Sequence, residues 1–125
     1  MAKTVLIVDD VAFVRKTLKD IFTAAHYHVV GEATTGEEAV LQFQRLNPDI
    51  VTMDIVMPVM SGIDAIRRIL KTNKLAKIIV VSAMTQEQLI MDAIHAGAID
   101  FIVKPFESKD ILKAADKAIQ SGEYE

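Results

Sequence analysis

TVLIVDD, residues 4–10, decides how the rest of the chain is read: a short, β-branched apolar run that stops on two aspartates. β-Branched residues favour strands, and a run without polar alternation suits a strand covered on both faces. The same unit recurs downstream. His28–Ala33 reads as a strand, Ile50–Met53 as another ending at Asp54, Lys77–Val81 as one ending at Ser82, and Ile99–Val103 as one ending at Lys104-Pro105. The segments between them place apolar residues at helical spacing. They are Phe13–Ala25, Gly36–Leu46 stopped by Asn47-Pro48, Ile63–Leu70 after a loop at Met57–Gly62, and Gln86–Ala96 closed by Gly97. Lys109–Gln120 is the last, with Ser108 expected as its N-cap and Gly122 beyond its end. Five strands alternating with five helices predict an α/β fold: a five-stranded parallel sheet with helices on both faces and right-handed crossovers. Ligands of such sheets sit at the carboxyl ends of the strands.

Composition narrows the function. A chain of 125 residues suits one domain, taken here as residues 1–125. At 51% hydrophobic and 25% charged it has the material for a core and is not a disordered polymer. Lys+Arg of 14 against Asp+Glu of 17 leaves a net charge of −3. That excludes a strongly basic nucleic-acid module and argues against an anionic membrane surface as partner. The absence of cysteine excludes disulfides, thiolate zinc sites, iron–sulfur clusters and cysteine nucleophiles. MAKTVLIV at residues 1–8 is not a secretory leader, and no apolar stretch approaches the roughly 18 residues that span a bilayer. A cytoplasmic location is expected. The sequence stops at Glu125, soon after the last expected helix, so output through contact with another protein is expected.

The strand ends bring Asp9, Asp10, Asp54, Ser82 and Lys104 to one edge of the expected sheet. One aspartate after a strand is more often a helix N-cap than a ligand; five such residues together point to a site. Three carboxylates in one cleft repel, and a hard cation is the natural compensation. Mg²⁺ takes oxygen ligands, keeps several waters and needs only one or two carboxylates. A hydroxyl and an ammonium opposite suit a group with negative oxygens, and a phosphoryl group fits. A carboxylate can itself be the nucleophile, forming an acyl phosphate. The plainer alternative is an acidic Mg²⁺ or Ca²⁺ site without covalent chemistry.

VLIVDD, MDIVMPVMSG, VVSA and FIVKPF together resemble the receiver domain of two-component response regulators, over essentially the whole chain. Within that family, VDDVAFVRKTL, VTMDIVMP and VSAM look most like chemotaxis regulators of the CheY type. The resemblance implies a flavodoxin-like sheet of order 2-1-3-4-5, as in the chemotaxis members. It implies that Asp54 is the phosphoacceptor and that Asp10, Asp54 and the carbonyl of Val56 bind Mg²⁺, with Asp9 holding it through water. Ser82 would hydrogen-bond the phosphoryl group and Lys104 would pair with it. Pro105 would follow a cis bond, Gly62 would allow the turn into the third helix, and Phe101 would be the aromatic switch. Phe101 has no hydroxyl, so its two positions would differ only in packing. The resemblance also implies that the side chains of Val56 and Met84 would flank the path of an attacking water; both are apolar, which predicts slow self-dephosphorylation.

The fourth helix adds a clue. Leu89, Ile90, Ala93, Ile94 and Ala96 cover about 160° of arc and Met91 widens it, where a core stripe needs little more than about 100°. Some of these side chains should be exposed, either as scattered surface hydrophobics or as a docking patch of Ile90, Ile94 or Met91 beside Phe101 and Lys117; the resemblance implies the second, an output face. His26, His28 and His95 lack metal-ligand spacing with the acidic residues and read as surface or packing residues. The resemblance implies a non-enzyme, monomeric phospho-acceptor with a sensor histidine kinase upstream and a flagellar motor switch protein downstream, with a phosphatase as a further partner. A phosphorelay intermediate serving a histidine phosphotransfer protein is the alternative. Two rivals from other classes fit worse. A flavodoxin-like cofactor site would not place Asp9-Asp10 in its phosphate loop. A haloacid-dehalogenase-type phosphatase needs Asp-x-Asp where MDIVMP has one aspartate.

Overall fold

A computed structural model describes residues 2–123. The elements follow in strict alternation: β1 (Thr4–Val8), α1 (Ala12–Ala24), β2 (His28–Ala33), α2 (Gly36–Leu46), β3 (Ile50–Met53), α3 (Gly62–Thr72), β4 (Ile78–Ser82), α4 (Glu87–Ala96), β5 (Asp100–Val103) and α5 (Ser108–Glu123). All strand pairs are parallel and the sheet order is β2-β1-β3-β4-β5, as expected. Successive strand residues face opposite sides, so each strand feeds two cores. Leu6, Val8, Val51, Met53, Ile78 and Val80 pack with α2, α3 and α4, including Phe43, Ile66, Ile69 and Ala93. Val5, Ile7, Ile50, Ile79 and Val81 pack with α1 and α5, including Leu18, Phe22, Ile111 and Ala115. Burial on both faces is why these strands lack polar alternation.

Helix boundaries follow local chemistry. Thr35 Oγ1 accepts from the Glu38 N–H at 3.1 Å to start α2, and Ser61 Oγ accepts from the Asp64 N–H at 3.2 Å to start α3. Gly97 ends α4 at φ 115°, a left-handed conformation that costs glycine little.

Several expected boundaries move by one to three residues, three of them instructively. Lys77 precedes β4, although its carbonyl still accepts from Val51 N–H at 2.9 Å. Ser108 is not a cap but the first residue of α5; the Glu107 N–H instead donates to Asp110 Oδ2 at 3.2 Å. Gly122 lies inside α5 rather than beyond it. A single glycine costs a helix about 1 kcal/mol, which weakens it without ending it.

Val59 is an outlier of a different kind. It sits at φ 72° in the loop between β3 and α3, a region β-branched residues rarely adopt. Its side chain is 81% exposed, so packing gains little from it. Val59→Gly is expected to raise stability by about 0.5–1 kcal/mol, read as a higher urea midpoint at unchanged slope. An unchanged or lower midpoint would contradict the strain.

Candidate functional site

The sheet register gathers the polar residues. Val8 is level with Met53, Met53 with Val80, and Ser82 with Val103. The residues that follow, Asp9, Asp54 and Lys104, therefore emerge together with Ser82. The ladder holds them there: Asp9 N–H donates to Ala33 O at 3.0 Å, Asp54 N–H to Val8 O at 3.0 Å and Lys104 N–H to Ser82 O at 2.8 Å. Asp9 (1% exposed), Asp54 (7%) and Ser82 (0%) are buried, while Asp10 is exposed at the mouth.

Carboxylate oxygens of Asp9, Asp10 and Asp54 all lie within 4.8 Å of one another. Lys104 Nζ is the ammonium facing two of them, 2.7 Å from Asp9 Oδ2 and 3.7 Å from Asp54 Oδ2. Asp9 Oδ1 accepts from Val11 N–H at 2.9 Å, and Asp54 Oδ1 accepts from its neighbour Ile55 N–H at 2.8 Å. Asp54 Oδ2 thus faces the cleft. Ser82 Oγ accepts from Met84 N–H at 3.1 Å, which orients the hydroxyl oxygen at the end of β4. The Lys104-Pro105 bond is cis, as expected. Gly62 N–H donates to Ile55 O at 2.8 Å and draws the start of α3 against the end of β3.

Burial, aided by the Asp9 carboxylate and more weakly by Asp10, pushes Asp54 up to about 6; Lys104 and the Ile55 N–H pull it back. One lysine therefore does not satisfy three carboxylates, and the cluster fits a divalent cation. The oxygen-only donor set with an exposed Asp10 suits Mg²⁺, which retains waters. It would be held by Asp10 and Asp54, with Asp9 nearby, and it would supply charge neutralisation for a phosphoryl group.

The raised Asp54 pKa makes the stability of metal-free protein depend on pH. The folded state holds the Asp54 proton more tightly than the unfolded chain, so its contribution is full below about pH 4 and is lost as pH rises through about 6. Asp54→Asn removes that loss. Two pH units correspond to about 3 kcal/mol, which water access to the cleft reduces to about 1–2 kcal/mol. In chelator at pH 7.5 the variant is expected to melt higher than wild type, with the two converging below pH 4. Equal or lower stability at pH 7.5 would show that the carboxylate is not destabilised.

The other sequence expectations divide. Met91 (42% exposed) and Ile94 (49%) are exposed on α4, whereas Ile90 is half-buried. Phe101 is half-buried against the α2–α3–α4 core, and Lys117 is exposed on α5. Val56 is 58% exposed beside the cleft, and Met84 is half-buried. The three histidines are exposed and lie outside the acidic cluster.

One residue was missed. Arg15 Nη1 donates to the main-chain oxygen of Asp9 at 2.9 Å, and its Nε donates to Glu32 Oε1 at 3.0 Å. The signal was present: Arg15 falls on the same helical stripe as buried Leu18 and Phe22, where an apolar residue belongs.

Comparison with known proteins agrees with this geometry. Residues 5–116 match the response regulator receiver domain family. The chain is 59% identical over 117 residues to the chemotaxis protein CheY of Thermotoga maritima, covering 94% of this chain and 98% of that one. It is 48% identical over 119 residues to CheY of Bacillus subtilis, covering 95% and 99%. A crystal structure of a CheX–CheY–BeF3–Mg complex from Borrelia burgdorferi superposes with a TM-score of 0.90 at 40% identity, covering 94% of this chain and 89% of that one. The chain belongs to the response regulator receiver domain family, with relatives of the chemotaxis CheY type.

Proposed function

We propose that the chain, as a single receiver domain over residues 1–125, accepts a phosphoryl group on Asp54 from a sensor histidine kinase and thereby changes its affinity for a partner protein in chemotaxis. The observation that carries this is a buried carboxylate with one oxygen tied to Ile55 N–H and the other facing Lys104 and two further aspartates. Asp54 Oδ2 attacks phosphorus as a carboxylate, the bond from phosphorus to the donor breaks, and the donor leaves with the electron pair. Lys104, released from part of its pairing with Asp9, meets the new negative oxygens, and Ser82 donates its hydroxyl to one of them. Asp10, Asp54 and the Val56 carbonyl would hold Mg²⁺, which the Mg-containing CheY relative supports. The reaction is the protein's own modification and turns over no separate substrate.

The output face in this reading comprises Ile90, Met91, Ile94, Phe101 and Lys117. The exposed apolar pair Met91 and Ile94 supports it, as does a CheY relative solved in complex with CheX. A flagellar motor switch protein is the proposed downstream partner, a phosphatase a further one, and the cytoplasm the proposed location. Among the described residues, no helix is long and apolar enough to cross a membrane.

Intact mass after incubation with acetyl phosphate and Mg²⁺ tests the chemistry. One added phosphoryl group, dependent on Mg²⁺ and absent in Asp54→Asn, is expected. No adduct from either acetyl phosphate or a phosphorylated kinase would overturn the reading. The adduct should last minutes or longer, because the Val56 and Met84 side chains have no group to orient water; a half-life of seconds would contradict that.

A further inference from the structure

The polar atoms of Asp9 are all engaged. Its N–H donates to Ala33 O at 3.0 Å, Oδ1 accepts from Val11 N–H at 2.9 Å, and Oδ2 accepts from Lys104 Nζ at 2.7 Å. The main-chain oxygen accepts from Arg15 Nη1 at 2.9 Å. That last bond comes from a planar fork with a second anchor on another strand: Arg15 Nε donates to Glu32 Oε1 on β2 at 3.0 Å. The guanidinium, with 18% of the side chain exposed, spans from β2 to the end of β1. A planar fork fixed at two donors is stiffer than any single hydrogen bond.

The oxygen it holds belongs to the peptide plane joining Asp9 to Asp10. With the Asp9 N–H held by Ala33 O, rotation about ψ of Asp9 carries this plane and the Asp10 Cα beyond it, and so swings the exposed Asp10 carboxylate. The bond from Val11 N–H to Asp9 Oδ1 closes a turn that spans this plane, and Arg15 adds a direct hold on its carbonyl oxygen.

We infer that Arg15, braced by Glu32, is a positioning residue for the cation site: it holds the Asp9–Asp10 peptide so that the Asp10 carboxylate converges with those of Asp9 and Asp54. This rests on the reading of the acidic cleft as a Mg²⁺ site. The sign of the effect separates positioning from simple charge. A guanidinium near a cation site repels the cation, so on charge alone Arg15→Ala would bind Mg²⁺ more tightly. Positioning requires the opposite.

The test is calorimetric titration of the full chain with Mg²⁺, comparing wild type with Arg15→Ala, Arg15→Lys, Glu32→Gln and Lys16→Ala. Lys16 pairs with Asp20 on the exposed face of α1 and serves as a control for charge removal on the same helix. Arg15→Ala is expected to weaken Mg²⁺ binding about 10-fold, the lower end of the range for residues that orient metal ligands. Arg15→Lys, which keeps the charge but loses the fork, should recover part of that loss. Glu32→Gln should weaken binding less than Arg15→Ala, and Lys16→Ala should not change it. The Mg²⁺ concentration giving half-maximal adduct from acetyl phosphate should rise in the same proportion. Unchanged or tighter Mg²⁺ binding by Arg15→Ala overturns the inference. If that variant has lost its fold by circular dichroism, unchanged affinity in both Arg15→Lys and Glu32→Gln overturns it instead. A wild type that binds no Mg²⁺ would overturn the acidic-site reading beneath it.

Discussion

Replacing Gly62 with alanine is expected to destabilise the protein by about 3 kcal/mol and to abolish phosphoryl acceptance in the same step. A Cβ at this position would lie 1.9 Å from the Asp54 carbonyl oxygen and 2.8 Å from the carbonyl carbon, with Ile55 Cα at 2.9 Å. These are backbone atoms, so no side chain can rotate away. The Gly62 N–H also donates to Ile55 O at 2.8 Å, and relieving the clash breaks that bond or moves the end of β3. Overpacking of this kind sits at or beyond the upper end of the usual 1–3 kcal/mol. For a domain of this size it corresponds to a loss of about 10 °C in Tm. The residue forced to move is Asp54 itself, so acetyl phosphate should give no adduct even at temperatures where the variant remains folded. A variant with wild-type Tm and normal adduct yield would show that the close approach does not govern the site.

Lys104→Met should produce the second large effect, and one with a diagnostic pH dependence. Lys104 Nζ lies 2.7 Å from a carboxylate that is 1% exposed and 3.7 Å from one that is 9% exposed. Removing one partner of a buried pair typically costs about 3–5 kcal/mol, because the charge left behind is uncompensated. The methionine retains most of the apolar stem, so packing loss is small. Asp9 and Asp54 would then face each other across the cleft with only the Val11 and Ile55 amides to help them. Asp54, already pushed up to about 6, escapes by protonation, which makes the penalty larger at pH 7.5 than near pH 4. Thermal melts in chelator at the two values check this. Added Mg²⁺ should recover part of the loss at pH 7.5, since a divalent cation replaces the missing positive charge. A loss that is the same at both pH values would mean Lys104 acts by packing. Phosphoryl acceptance should also fall, because the developing negative oxygens lose their ammonium.

These expectations also show where sequence reading succeeded. The five strands were legible because each is a short apolar run terminated by a polar residue or turn chemistry. The site was legible for the same reason: in a parallel sheet, strand ends converge, so Asp9, Asp54, Ser82 and Lys104 could be gathered before any coordinate was known. The boundaries that moved did so at helix and strand ends, where one hydrogen bond decides the assignment. Ser108 looked like a cap by residue type, but the helix starts one residue earlier and takes Ser108 as its first residue. On α4 the apolar arc was wider than a core needs, and Met91 and Ile94 are the excess; Ile90 is half-buried, a distinction that periodicity could not make.

By itself the sequence determined the class of fold, the convergence of carboxylates, hydroxyl and lysine at one edge, and the balance of charge that calls for a divalent cation. These depend on residue type and on position along the chain. Only the tertiary structure decided which carboxylates are buried, which oxygen of Asp54 faces the cleft, that Lys104 pairs more closely with Asp9 than with Asp54, and that Arg15 reaches back to the Asp9 carbonyl. Those outcomes depend on distances of a few ångströms between segments far apart in sequence. Electrostatic and hydrogen-bond energies change steeply over such distances, and no pattern within a single segment records them.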